Sequence, residues 1–166
     1  MEVLEVIRDR RSIRRYDRRD VPEEKLMQVL EAGRWAPSAH NSQPRKFVVV
    51  RDEETRKQLA RIAAYGGFLA DAPVAIAVVI DPSSSNHPVE DGAAATQNML
   101  LAAHAVGLGS CWIGAYGSGY EAKARQILGV PDDKRLLSLI SLGYAADSGS
   151  STRVELSKLI CYERFQ

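Results

Sequence analysis

Cysteine is scarce. The chain of 166 residues has two, Cys111 and Cys161, in no metal-ligand spacing and with no C-x-x-C. That argues against a disulfide-stapled secreted scaffold and against a cysteine-held metal. Its three histidines, His40, His87 and His104, show no ligand spacing either. No G-x-S-x-G, H-E-x-x-H or Walker pattern occurs, so the common hydrolase and nucleotide-hydrolysis signatures are missing. Ser38 and His40 are close enough in sequence to share a hydrogen bond, but no third group that would orient the histidine can be identified. Nor is charge of one sign in excess: 22 Lys and Arg stand against 21 Asp and Glu, a formal net charge of +1. No global field therefore favours nucleic acid or a membrane surface, and any electrostatic attraction must be local. No window approaches the ~20 apolar residues of a membrane span, and MEVLEVIRDRR has no apolar core of signal-peptide length. A cytoplasmic protein with a buried thiol at Cys111 is expected.

What is present is enough chain for one domain over residues 1–166, which would remove roughly 70% of its unfolded surface from water. Residues 91–114, DGAAATQNMLLAAHAVGLGSCWIG, are apolar almost all round a helical wheel, as in a buried helix. With Asp91 as N-cap and Gly107 past the end, the helix is predicted over 92–106, about 22 Å of rod. Its alanines leave a low surface on which another helix can pack closely. Thr96, Gln97, Asn98 and His104 need hydrogen-bond partners wherever they are buried. Residues 111–113 follow as a short strand closed by Gly114.

Upstream, Val3, Leu4, Val6 and Ile7 stripe a short first helix, and Pro22, Glu23 and Glu24 open a second whose Leu26, Val29, Leu30 and Gly33 face the core. Residues 37–44 read as an irregular loop, 47–50 as a strand, 52–64 as an exposed amphipathic helix, and Val74–Ile80 as a central strand apolar on both faces. A helix over 122–128 and a strand over 136–142 complete the core. Then a Gly/Ser linker leads to a tail, 154–165, apolar enough to need a surface of its own or of another chain. Gly117, Gly119 and Ala122 fit G-x-G-x-x-A. That is a weak match without a βαβ unit and a well-placed acid.

The arginine run RDRRSIRRYDRR is, by composition, a solvated face or a nucleic-acid arm. Ser12 and Ile13 interrupt it, however. A hydroxyl and backbone amides between guanidinium forks make an anion cradle.

Four ordered stretches resemble the nitroreductase family of FMN-dependent oxidoreductases: RRSIR followed by Tyr16, APSAHNSQP, QNMLLAAHAVGLGSCWIG, and an arginine before an apolar tail. The resemblance implies an α+β fold, a mostly antiparallel sheet flanked by helices, in an intertwined homodimer with FMN at the interface. Arg10, Arg11, Ser12 and Arg153 would take the FMN phosphate, and Arg14 would lie near the ribityl chain and pyrimidine edge. Pro37, Ser38, Ala39, Asn41 and Gln43 would come from the partner chain, while the backbone at Ile113 and Gly114 would run beside the ring. Hydride would pass from NAD(P)H through flavin N5 to a nitroaromatic, quinone or similar acceptor in ping-pong order. No catalytic side chain, metal, nucleic acid or membrane is implied, since a flavin carries its own reactive atom. Two positions depart from the family pattern: Arg45 stands where an aromatic is usual, and Ser151 where many relatives have a second base. Rival readings are another flavin chemistry on the same fold, such as dehydrogenation or dehalogenation, a non-enzymatic FMN-binding or sensing protein, and a nucleic-acid binder.

Overall fold

A computed structural model describes residues 2–165. Four strands, β1 (Arg45–Val50), β2 (Val74–Ile80), β3 (Gly109–Gly114) and β4 (Arg135–Gly143), form one sheet in the order β1-β2-β4-β3. Every pairing in it is antiparallel. All seven residues of β2 are buried, as a continuous apolar strand requires when both faces are covered. The period-two alternation then sorts its side chains by size. Ile76, Val78 and Ile80 join one core cluster, and Ala75, Ala77 and Val79 the other.

Helices α2 (Glu23–Arg34) and α4 (Pro88–Ala105) cover the first face, through Leu26, Val29, Met99 and Ala103. Helices α3 (Glu53–Ile62) and α5 (Glu121–Leu128) cover the second, through Leu59 and Ala124. The fold is thus α+β, an antiparallel sheet between helices, as expected. Glycine fixes how closely α4 approaches. A Cβ on Gly92 would stand 2.6 Å from Ile80 Cγ2, and one on Gly33 of α2 would stand 2.9 Å from Met99 Cγ.

Helix α4 begins a turn earlier than predicted. Pro88 occupies its first turn, where a missing N–H costs nothing, and Asp91 lies inside the helix as a buried carboxylate. Its C-terminal end follows expectation: Gly107 has φ +77°, and Leu108 N–H donates to the Ala103 carbonyl at 2.8 Å. Two of its polar residues find partners inside the protein. Thr96 donates to the Gly92 carbonyl and bonds Ser138, and Asn98 donates to the Ala32 carbonyl. The G-x-G-x-x-A match lies between β3 and α5, but α5 leads into β4, which runs antiparallel to β3. No βαβ unit exists there to bind a dinucleotide.

Helix α1 (Val3–Asp9) forms as expected, but of its apolar stripe only Val6 is buried, while Val3, Leu4 and Ile7 stay exposed. The tail behaves similarly. Val154, Leu156, Leu159, Ile160, Tyr162 and Phe165 are all exposed, so its large apolar side chains stay mostly uncovered.

Candidate functional site

The segment after α1 is stitched to the sheet edge. Ser12 forms a parallel bridge with Ser110 of β3, and Ile13 N–H donates to the Ser110 carbonyl at 3.0 Å. Ile13 is buried against Gly109, where a Cβ would come within 2.9 Å of it. With Ser12 and Ile13 pinned, Arg10, Arg11 and Arg14 are held around one hollow of about 280 Å³. Gly149, Ser150, Ser151 and Arg153 form its opposite wall. The structure therefore brings Arg10, Arg11, Ser12, Arg14 and Arg153 together. Gly149 was not legible as a contributor, yet it has φ +51° and a Cβ there would meet Arg11 Cβ at 3.0 Å. Only a residue tolerant of left-handed backbone closes the linker so tightly.

The hollow holds cations without carboxylates. Arg11 donates to the carbonyls of Arg8 at 2.6 Å and Arg10 at 3.0 Å, and Arg153 to that of Thr152 at 2.8 Å. The nearby Asp9 is paired with Arg8 at 2.8 Å. Burial, then repulsion from Arg153 and Arg11, pushes the Arg10 pKa down. Crowded, partly desolvated guanidinium groups are stabilised by an anion with several acceptor oxygens, so the residues present fit a phosphate. Arg14 lies 5.9 Å from the centroid of the Phe68 ring, on the short 3-10 turn Gly67–Ala70. Beside it, burial pushes the Cys111 thiol up, with Arg14, Ser12 and Arg10 pulling less strongly the other way. A protonated, buried thiol is a poor nucleophile.

At the far end of β3, Ile113 is buried and Gly114 is exposed, with no atom within 4 Å of where its Cβ would be. Backbone there borders open space. The Tyr120 hydroxyl donates to the Gly114 carbonyl and steadies it.

The loop before β1 is tightly wound. His40, Asn41 and Gln43 have φ of 53°, 55° and 50°. Non-glycine residues hold that conformation only when neighbours fix it. Here Asn41 N–H donates to the Ser38 carbonyl at 3.0 Å, Gln43 N–H to Ser38 Oγ at 2.9 Å, and Ala39 N–H to Asp91 Oδ1 at 2.9 Å. The Ser38 hydroxyl is thus engaged by backbone rather than by His40, which is exposed. Arg45 clamps the same region, donating to the carbonyls of Arg34, Ala36 and Pro37. That satisfies acceptors at the end of α2 and gives the unusual arginine a structural role.

The loop and the arginine hollow do not meet within one chain. Asp91, which holds the loop, is in the first turn of α4; His104, near its other end, lines a recess with Arg10 and Arg11. Those two points on the helix are about 20 Å apart at ~1.5 Å per residue. Likewise β1 and β3 are opposite edges of the sheet. Pro37, Ser38, Ala39, Asn41 and Gln43 gather at one end, and the cations with the start of β3 at the other.

Residues 7–66 and 61–144 match the family described as Nitroreductase family. The chain is 43% identical over 151 residues to an Archaeoglobus fulgidus protein provisionally named NADH dehydrogenase/NAD(P)H nitroreductase, covering 88% of this chain and 87% of that one. A Methanothermobacter thermautotrophicus protein with the same name is 41% identical, covering 89% and 80%. Among solved structures, an FMN-dependent nitroreductase from Clostridium difficile R20291 superposes with TM-score 0.92 at 31% identity, over 98% of this chain and 99% of that one. A provisionally named nitroreductase from Desulfovibrio desulfuricans, solved in complex with FMN, gives TM-score 0.87 at 38% identity, over 100% and 99%.

Proposed function

Because the chain belongs to the nitroreductase family, we propose that it is an NAD(P)H-dependent oxidoreductase that binds FMN and reduces a nitroaromatic, quinone or similar acceptor. The observation that carries this reading is the hollow of Arg10, Arg11, Ser12, Arg14 and Arg153, cations and a hydroxyl around a space with no acid inside it. Residues 1–166 act as one FMN-binding domain, in the cytoplasm.

When bound, FMN supplies N5, an atom that takes hydride from a reduced nicotinamide and passes it to the acceptor. The chain's own residues bind and orient. Arg10, Arg11, Ser12 and Arg153 would hold the FMN phosphate, Arg14 would serve the ribityl chain and ring edge, and the backbone at Ile113 and Gly114 would border the ring. The left-handed loop supplies Pro37, Ser38, Ala39, Asn41 and Gln43 to the site of a second copy. Supporting that exchange are the placement of the two groups toward opposite ends of α4, whose Asp91 and His104 are ~20 Å apart, and the exposed apolar side chains of the tail. No side chain acts as an essential acid or base: Cys111 is held protonated and Ser38 is engaged by Gln43. NAD(P)H and acceptor would use the same site in turn, in ping-pong order.

The test is the absorption spectrum of the purified protein, with Arg10→Ala and Arg153→Ala beside the parent. The parent should carry about one non-covalent FMN per chain. Each variant should bind it roughly 10- to 100-fold more weakly, the weight of one charge-assisted hydrogen bond. Equal retention by all three would remove the cradle assignment, and a colourless parent that takes up no FMN would overturn the reading.

A further inference from the structure

A different concavity, of about 920 Å³, has a size that suits a whole small molecule rather than a single ion. Arg14 lines both this cleft and the phosphate hollow, so the two are neighbours. Six cations wall the cleft, Arg14, Arg15, Arg18, Arg51, Arg56 and Lys57, against the acids Asp20, Glu53 and Asp71. Of these, Lys57 is paired with Glu53 at 2.6 Å and Arg51 with Glu23 at 3.0 Å. Arg15 and Arg18 have no side-chain hydrogen bond or ion pair among the described residues. Arg56 is 8% exposed; its Nη1 donates to the carbonyls of Ala70 and Ala72, while its Nε is buried without a partner. The unpartnered Arg56 donor can take an acceptor oxygen of a ligand, and the exposed guanidinium groups of Arg15 and Arg18 add positive charge beside it.

We propose that this cleft receives the adenosine end of NADPH, with Arg15 and Arg18 gripping its 2′-phosphate, and so selects NADPH over NADH. The inference rests on the reductase reading, which requires a reduced nicotinamide beside the flavin. The two coenzymes differ only by that phosphate, and cations placed at it favour the form that carries it. Residues 14–18 are without helix and are tied to the chain after β4 by the Tyr16–Ala145 bridge, spanning at most ~13 Å from Arg14 to Arg18. An extended dinucleotide spans a comparable distance. Arginine rather than lysine at both positions suits two-point recognition of a phosphate monoester.

The experiment is equilibrium binding to the FMN-loaded protein and to an Arg15→Gln/Arg18→Gln variant. The probes are adenosine 2′,5′-bisphosphate, adenosine 5′-phosphate, inorganic phosphate and a single-stranded oligonucleotide. Adenosine 2′,5′-bisphosphate should bind the parent at least tenfold tighter than adenosine 5′-phosphate, and that advantage should vanish in the variant. The NADPH-over-NADH ratio of kcat/KM should fall by the same factor. Equal affinity for the two adenosine phosphates, or an advantage that survives the substitutions, would overturn the inference. So would an oligonucleotide or inorganic phosphate that binds as tightly as the bisphosphate. Absence of turnover with both nicotinamides would instead sink the reductase reading, and the binding series would still decide what the cleft recognises.

Discussion

Asp91 and Ala39 are joined across 52 residues of chain by a 2.9 Å hydrogen bond from the Ala39 backbone N–H to the Asp91 carboxylate. The other carboxylate oxygen accepts from the Ser85 hydroxyl at 2.6 Å. One buried side chain on α4 therefore fixes the loop that carries Pro37, Ser38, Ala39, Asn41 and Gln43. Replacing Asp91 with Ala should cost about 1–3 kcal/mol of stability, because two part-buried donors lose their acceptor. FMN should also dissociate faster. Asp91→Asn keeps one acceptor oxygen and should fall between parent and Ala. Thermal melts and FMN dissociation rates check this, and an Ala variant matching the parent in both would show that Asp91 does not organise the loop.

A second test concerns pH. Burial tends to raise the Glu121 pKa, but Arg135, at 2.7 Å from both carboxylate oxygens, and the N–H groups of Gly117 and Leu136 outweigh it and hold the value below 4.5. A lowered folded-state pKa contributes stability above the unfolded value, and that stability is lost as pH falls through the folded value. Glu121→Gln should cost about 2–3 kcal/mol at pH 7, less than a wholly buried pair because the Arg135 side chain is 35% exposed. Below about pH 4.5 the gap between parent and variant should shrink. Urea titrations at several pH values measure it, and a gap independent of pH would refute the assignment.

Particular residues show what the sequence could and could not carry. The bounds of β2 were legible to the residue, because seven apolar positions leave no face for water. The start of α4 was not, because Asp91 is a good cap by type and only the fold shows its carboxylate spent on Ala39 and Ser85. The cradle was legible as alternation of arginine with Ser12 and Ile13. Gly149 was hidden, since its contact with Arg11 depends on the linker folding back over a long stretch of chain. The role of Arg45 was hidden for the same reason: its partners are backbone carbonyls, which sequence does not distinguish.

The exposed apolar residues of α1 and of the tail predict a homodimer. Cutting the chain before Val154 removes Leu156, Leu159, Ile160, Tyr162 and Phe165, all exposed in the single chain, and should cost both dimer and FMN. Sedimentation of parent and truncated chains is the check. A parent that sediments as an FMN-loaded monomer would contradict the shared site.

The most direct measurement is anaerobic absorbance at the flavin band, first with NADPH or NADH added, then with a quinone. The band should bleach with the nicotinamide alone, stay bleached until the quinone is added, and then recover, as a two-step ping-pong cycle requires. Flavin that stays oxidised with both nicotinamides, or that bleaches only when the quinone is already present, would contradict it.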